Sequence, residues 1–164
     1  MIQRIQSLLL AGVVILLTIN LFVPIWTNTE TKPVIVLNAF SISYASLPNP
    51  VSKVISIEPL KTKNVYYIAG LITVCIGLTL YIIFQYKNRA LQLRLCNLLT
   101  VLTLTIIGSY FIAIPAAKSM IAIPSDGNYE AGYFLPILAS ILILAARYYI
   151  RKDEELVKSV DRLR

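Results

Sequence analysis

Residues 65–84 read VYYIAGLITVCIGLTLYIIF, a continuous apolar run without a charged side chain. A helix of about 20 residues crosses a hydrocarbon core of about 30 Å, so this run has the length of one membrane span. Tyr66 and Tyr67 at one end, and Tyr81 and Tyr86 near the other, match the aromatic belts at the two surfaces of a bilayer. The run therefore predicts a transmembrane helix.

Three further stretches have the same character, at residues 5–23, 95–114 and 133–150. The first is longer than the apolar part of a signal peptide and has no small-residue cleavage motif after it, so we expect an uncleaved anchor. We expect Trp26 at the outer headgroup level, with its indole N–H in water. Arg147 interrupts the last stretch, but a basic side chain near a helix end can extend to the headgroups.

The composition supports a membrane protein, since 57% of the residues are hydrophobic, 14% are charged and the mean hydropathy is +0.74. An ordinary soluble domain has roughly 25% charged residues. The four stretches use about half of the 164 residues, which leaves no room for a separate soluble domain. The predicted fold is a single all-α membrane domain over residues 1–164. It is a four-transmembrane-helix bundle with a small β-structured extracytoplasmic loop between helices 1 and 2.

Basic residues are distributed unequally between the two sides of this bundle. Ten lie on the side that holds both termini and the connection 85–94: Arg4, Lys87, Arg89, Arg94, Arg147, Arg151, Lys152, Lys158, Arg162 and Arg164. Five lie opposite: Lys32, Lys53, Lys61, Lys63 and Lys118. Because basic loops stay in the cytoplasm, we expect both termini, the connection 85–94 and the tail 151–164 to face the cytoplasm at a bacterial inner membrane. Topology and contact with the lipid bilayer explain the basic excess, so no nucleic-acid binding is expected.

The two predicted outer loops, 25–64 and 115–132, differ in pattern. In the first, residues 34–37 and 40–44 carry the alternation of half-buried strands, and 51–57 form another β-prone run. We expect a hairpin or a three-stranded sheet resting on the mouth of the bundle. For the second loop we expect a short interfacial segment covering helix ends, in preference to a partner groove or a re-entrant gate.

The residue types argue against an enzyme. The chain has no His, which excludes a His general base, His-ligated haem and His-containing zinc sites. We expect Cys75, in mid-span, and Cys96, near the inner surface, to be core residues too far apart for a disulfide. Asp126 and Glu130 have no partner positioned by the sequence and are expected to be solvated. No catalytic residue, cofactor or metal site is predicted.

The predicted spans 5–23, 65–84 and 95–114 contain no Asp, Glu, His, Lys or Arg. Ion-coupled carriers usually place such groups within a span. The most polar interior residues are expected to hydrogen-bond between helices or to their own backbone; they are Asn20, Asn97, Thr73, Thr79, Thr100, Thr103 and Thr105.

The tail 151–164 has the pattern of a helical continuation, with Leu156, Val160 and Leu163 on one face. Two interpretations stay open for it. Either it is a solvated or lipid-surface helix, or its apolar face docks on residues 89–95 or on a cytoplasmic partner, with Asp161 or Glu155 meeting Arg89 or Arg94. The candidate cytoplasmic contact surface consists of Arg4, Arg89, Arg94, Glu155, Asp161, Arg162 and Arg164.

Three segments carry a family resemblance: MIQRIQ at 1–6, NRALQLRLC at 88–96, and FLPI at 134–137 together with KDEELVKSVDRLR at 152–164. They resemble an uncharacterised family of small four-helix inner-membrane proteins of Bacteroidota, known as a domain of unknown function. The resemblance implies four spans in a bacterial inner membrane and implies no activity.

Two functional classes fit these observations. The first is a non-enzymatic structural or accessory subunit that contacts another, unidentified membrane protein. The alternative is a small transporter or channel-like protein. The lack of charged residues in three of the spans favours the first class.

Overall fold

The computed structural model describes residues 2–28, 34–45, 61–85, 88–119 and 127–161. The helices of this part are α1 (Ile2–Phe22), α2 (Tyr66–Phe84), α3 (Arg89–Lys118) and α4 (Ala131–Asp161). Its strands are β1 (Trp26–Asn28), β2 (Val34–Leu37), β3 (Ser41–Ala45), β4 (Lys61–Asn64) and β5 (Asn128–Tyr129).

The four helices pack in chain order around a shared core. α1 and α3 each contact α2 and α4, which gives every helix two neighbours, as in an up-and-down bundle. Gly12 allows α1 and α4 to approach closely, because a Cβ at this position would lie 3.3 Å from Leu142 Cδ1. The buried core includes Leu17, Ile72, Ile106 and Ile143.

The outer faces of the helices are also strongly apolar. Phe22, Phe84 and Leu8 are 77%, 76% and 73% exposed. In the most apolar part of each helix, only 28% to 39% of the residues are buried inside the bundle. Monomeric soluble proteins rarely expose apolar surface this continuously. All four helices are long and apolar enough to cross a membrane.

The third helix is longer at both ends than the predicted span 95–114. It begins at Arg89 because the side chain of Asn88 accepts a hydrogen bond from the Leu91 N–H at 3.1 Å, which is an N-cap. The predicted connection 85–94 is therefore shorter, and most of it belongs to α3. Pro115 does not end the helix, because α3 continues to Lys118. The proline costs the helix one backbone hydrogen-bond donor.

The fourth helix joins the predicted span 133–150 and the predicted tail into one element. α4 runs without interruption to Asp161, which confirms the predicted helical continuation as far as the described residues extend. Residues 162–164 lie outside them.

The strands form one antiparallel sheet in the order β4-β3-β2-β1-β5. β2 and β3 confirm the predicted strands at 34–37 and within 40–44, and their inward side chains, Ile35, Leu37 and Ile42, are fully buried. The β-prone run 51–57 lies outside the described residues. A hairpin or a three-stranded sheet was expected, but the observed sheet has five strands. One of them, β5, comes from the distant loop 115–132 and pairs with β1.

Trp26 differs from its predicted position at a wet membrane surface. It lies in β1 between β2 and β5, and its side chain is fully buried. Gly127 covers it with a backbone at φ 59°, and a Cβ at position 127 would overlap Trp26 Cζ2. The residues next to Trp26 in the sequence could not indicate its burial, because Gly127, which packs over the indole, is about a hundred residues away.

The sheet is attached to three of the helices by backbone hydrogen bonds. The Val65 N–H donates to Phe40 O at 2.9 Å before α2, and the Gly132 N–H in α4 donates to Pro24 O at 3.1 Å, just after α1. We call this region the sheet end. The opposite region, where α2 ends, α3 begins and α4 carries Arg151 and Asp153, is called the basic end.

Candidate functional site

At the basic end, an ion pair connects the start of α3 to α4. Arg89 Nη2 lies 3.2 Å from Asp153 Oδ2, and the two side chains are 26% and 15% exposed. Arg89 Nη1 also donates a hydrogen bond to the Asp153 carbonyl at 3.1 Å. Asp153 Oδ2 itself accepts no well-aligned hydrogen bond, so the contact between the side chains is one of charge. One hydrogen bond and one ion-pair contact from the same guanidinium hold α4 against the start of α3.

One of the two interpretations of the tail had Asp161 or Glu155 meeting Arg89 or Arg94; Arg89 instead pairs with Asp153, and the side chain of Asp161 lies outside the described part. Glu155 accepts a hydrogen bond from Arg151 Nε on its own helix at 3.1 Å, and both side chains are largely exposed. Arg94 is exposed one to two turns into α3. Glu155 lies one helical turn after Arg151 and pairs with it on the same helix. The acid that meets Arg89 is therefore Asp153, two positions before Glu155.

Other members of the predicted contact surface are described only in part. Arg4 lies in the backbone of α1 and Asp161 at the end of α4. Arg162 and Arg164 lie outside the described residues. Beside the Arg151–Glu155 pair is a shallow recess of about 380 Å³, lined by Tyr148, Arg151, Lys152 and Glu155.

At the sheet end, a buried polar network connects three helices. Asn20 in α1 is fully buried, and its Nδ2 donates to the Gly132 carbonyl of α4 at 2.6 Å. The hydroxyl of Tyr110 in α3 donates to Asn20 Oδ1 at 3.0 Å. This confirms the prediction that Asn20 hydrogen-bonds between helices. A buried amide is expected to be satisfied in this way, since an unpaired one would destabilise the fold.

The threonines within the helices also behave as predicted. Each bonds back to a carbonyl of its own helix, usually four residues earlier, at 2.6 to 3.1 Å; these are Thr73, Thr79, Thr100, Thr103 and Thr105. Asn97 is exposed. Each of these hydroxyls therefore has a hydrogen-bond acceptor on its own helix.

Beside the Asn20 network lies a small cleft between the end of α3 and the start of α4. Its volume is about 150 Å³, and it is lined by Tyr110, Phe111, Ile114, Pro115, Lys118, Tyr129 and Tyr133. We call it the aromatic cleft. Sequence reasoning missed it, although Tyr110 and Tyr133 flank the predicted loop 115–132 and Lys118 and Tyr129 lie within it. The sequence feature that could have indicated the cleft is the group of tyrosines in and around that loop. These tyrosines come together only when β5 pairs with β1.

The family comparison covers nearly the whole chain. A family model described as a domain of unknown function (DUF4293) matches residues 2–163. The chain belongs to this family. Apart from Met1 and Arg164, the match includes the three segments on which the resemblance was based, and the family description assigns no activity. No curated protein matches the chain.

The DUF4293 family gives no residue a role, so chemistry is judged from this chain alone. Among the described residues, no group of three or more His, Cys, Asp or Glu side chains is placed to hold a metal ion. Cys75 and Cys96 are both buried and unbridged. The described part therefore offers two features with the properties of a site: the charged surface of the basic end and the aromatic cleft.

Proposed function

We propose that this protein is a four-span integral protein of a bacterial inner membrane, without catalytic activity, that serves as a structural or accessory subunit for another membrane protein. The observation that carries the proposal is the contrast between the interior and the surface of the bundle. Within the described residues the buried polar side chains are all uncharged: Gln6, Asn20, Asn28, Thr79, Gln92, Thr103 and Ser109. Of the charged side chains whose burial is described, none is buried, and Arg147 in the middle of α4 is partly exposed.

An interior of this kind suits a helix scaffold. Transport of an ion or a proton normally uses ionisable groups at membrane depth, facing a cavity. Here Asn20 and the helical threonines are satisfied by neighbouring helices or their own backbone. The exposed apolar faces of the helices would contact lipid, and the ends of the bundle would be available for protein contacts.

The basic end is proposed to face the cytoplasm. In the topology predicted from the sequence, ten basic residues lie on its side of the membrane and five on the other, and the positive-inside rule supports this orientation. A fluorescent protein fused after Arg164 is expected to be fluorescent, and alkaline phosphatase inserted near Pro48 is expected to be active. The reverse pattern would contradict the orientation, and recovery of the chain in the soluble fraction after carbonate extraction would contradict membrane insertion.

The partner is proposed to contact the basic end, where the Arg89–Asp153 pair and the recess beside Lys152 present charged groups on a fixed helix surface. A photo-crosslinking amino acid at position 152, in living cells, is expected to give a discrete protein adduct. The matched control is the same amino acid at Leu144 of α4, which is 49% exposed and is expected to contact lipid.

The alternative function, a small transporter or channel, makes the opposite predictions. If crosslinking at 152 gave only free monomer, while proteoliposomes of the purified protein showed ion or solute flux, the accessory function would be wrong. If neither position gave a protein adduct and no flux occurred, the accessory function would also be wrong, because it requires a partner.

A further inference from the structure

We infer that Arg147 of α4 and Asn97 of α3 bind the phosphate of one anionic phospholipid of the inner leaflet, at the outer groove between the two helices. This inference rests on the proposed membrane insertion and orientation. It goes beyond them by assigning a binding site and a ligand class to one position on the surface of the bundle.

The position of Arg147 follows from the contacts between α3 and α4. Towards the sheet end, Ser140 Oγ of α4 lies 3.3 Å from Thr103 Oγ1 of α3, and at the basic end an ion pair joins the same two helices. Arg147 lies between these contacts on α4, and Cys96 lies between them on α3. The two side chains interact electrostatically. Arg147 therefore faces α3 at the level of Cys96, and it is half-buried there.

The helices provide no acidic side chain at the level of Arg147. α1, α2 and α3 contain no Asp or Glu, and the acids of α4 begin at Asp153. Asp153 lies about 9 Å further along the axis than Arg147, and it pairs with Arg89. Glu155 lies further still and pairs with Arg151. Ionisable groups within a span are normally paired, so the anion that meets Arg147 has to come from outside the helices.

Asn97 adds a second hydrogen-bond donor at this level. It follows Cys96 by one residue, which turns its side chain by about 100° around α3, and it is exposed on the outer surface of the bundle. Polar side chains on membrane helices are expected to find hydrogen-bond partners, because the lipid tails offer none. The amide nitrogen of Asn97 and the guanidinium of Arg147 both donate. Donors on the two sides of one groove suit an anion.

The depth of these two residues matches the inner boundary of the hydrocarbon core. From Asn97 to the last residue of α3 the helix axis rises by about 31 Å, and a hydrocarbon core is about 30 Å thick. Leu98 and Leu144, nearby on α3 and α4, are 50% and 49% exposed and provide apolar surface for the acyl chains. Lipid phosphates surround the protein at this boundary, whereas a carboxylate within a partner's span would be rare. The depth therefore favours a lipid phosphate.

The chemistry of the two side chains favours an anionic phospholipid. A guanidinium can donate two parallel hydrogen bonds to the oxygens of one phosphate, and the amide of Asn97 can donate a third. Arg94, one turn before Asn97 on α3, is exposed and adds positive charge on the headgroup side. The ammonium group of phosphatidylethanolamine would be repelled by Arg94 and Arg147, whereas the headgroup of phosphatidylglycerol has no positive charge.

Native mass spectrometry of the full-length protein in detergent, with phosphatidylglycerol or phosphatidylethanolamine added, measures the binding. The wild type is expected to bind one phosphatidylglycerol more tightly than any phosphatidylethanolamine. Arg147→Gln is expected to weaken this binding about tenfold, because it removes a charge-assisted hydrogen bond. Arg147→Lys keeps the charge but loses the paired donors, and Asn97→Leu removes one neutral donor. Each of these two variants is expected to weaken binding about threefold.

Lys152→Gln is the matched control, since it removes one basic charge from an exposed position of α4 on a different face from Arg147. It is expected to leave the binding of phosphatidylglycerol unchanged. Equal weakening by Lys152→Gln and Arg147→Gln would show that net charge attracts the lipid and would overturn the inference. Wild-type binding in Arg147→Gln would also overturn it. If Arg147→Gln is not monodisperse, wild-type binding in both Arg147→Lys and Asn97→Leu has the same meaning.

Two other anions are distinguished by the same variants. Excess inorganic phosphate is not expected to displace phosphatidylglycerol, and displacement would show that the site takes free phosphate instead of a lipid. If Arg147→Gln lost the protein adduct at position 152 but bound phosphatidylglycerol like the wild type, Arg147 would meet a carboxylate of the partner, and the lipid site would be wrong.

Failure of this inference can be distinguished from failure of the proposed function. If the protein resists carbonate extraction and gives the adduct at position 152, but Arg147→Gln binds phosphatidylglycerol like the wild type, only the lipid site is wrong. If the protein is extracted from membranes by carbonate, both are wrong.

Discussion

The two ends of the bundle are built in opposite ways. At the sheet end, side-chain and backbone hydrogen bonds join α1, α2 and α4 to a shared sheet, and Asn20 links α1 to α3 and α4. At the basic end, the Arg89–Asp153 pair holds α4 against α3, while Arg151 and Glu155 pair with each other in largely exposed positions. The difference indicates that the sheet end is the more constrained region, whereas the charged side chains of the basic end are partly or largely exposed.

The largest effect is expected at the junction of the two outer loops. In Gly127→Val, the side chain would overlap Trp26 and the residue would keep a positive φ. Overpacking and an unfavourable backbone together are expected to destabilise the protein by about 3 kcal/mol or more. Thermal unfolding in detergent, followed by circular dichroism, measures the change.

The control for this variant is Gly70→Ala in α2, where an added Cβ meets nothing within 4 Å. It is expected to be neutral or to stabilise by up to about 1 kcal/mol, since alanine is the better helix former. Equal loss of stability in both variants would mean that the sheet end is not the more constrained region.

A smaller effect is expected from Asn20→Leu, which leaves the Tyr110 hydroxyl and the Gly132 carbonyl without their observed partner. Hydrogen bonds between membrane helices average about 0.6 kcal/mol, and unsatisfied buried groups cost about 1–3 kcal/mol. We expect Asn20→Leu to lower the free energy of unfolding by about 1–2 kcal/mol. Tyr110→Phe is expected to destabilise the Asn20→Leu variant less than it destabilises the wild type. Asn97→Leu, at an exposed position, is expected to change stability little. Additive losses from Asn20→Leu and Tyr110→Phe would show that the two residues do not act together.

The smallest effect is expected at the basic end. Arg89→Gln and Asp153→Asn should each destabilise the protein by about 1 kcal/mol or less, because the pair is only partly buried and is screened by solvent. Arg151→Gln with Glu155→Gln, a pair with both side chains at least 65% exposed, should change stability by about 0.3–0.5 kcal/mol or less. Double-mutant cycles at low and high salt measure both pairs. A larger coupling for Arg151–Glu155 than for Arg89–Asp153 would reverse the expected order.

The helices could be predicted from the sequence because three of them contain a long apolar run without a charged residue, and the run of the fourth is interrupted only by Arg147. Their ends could not, because they depend on single local bonds such as the Asn88 cap of α3. The strands at 34–37 and 40–44 could also be predicted, because side chains along β2 and β3 alternate between buried and outward positions.

The sites required information that local patterns do not contain. The Arg89–Asp153 pair and the aromatic cleft join residues from different helices, so their partners are set by helix packing. The β1–β5 pairing joins Trp26 to Tyr129, and the two-residue strand β5 is too short to carry a periodic signal. Charge counting grouped Arg89 and Arg151, which do lie at one end of the bundle, but it could not identify their acidic partners.

The strand order has a consequence for biogenesis. β1 is made early and pairs with β2 on one side, but its other neighbour, β5, comes from residues 128–129. While the ribosome is still synthesising α2 and α3, β1 has an unpaired edge, and open edges favour association with other chains. Completion of the sheet therefore coincides with delivery of the fourth helix, so a chain that stalls before residue 128 would be recognisable as immature by an open strand on its surface.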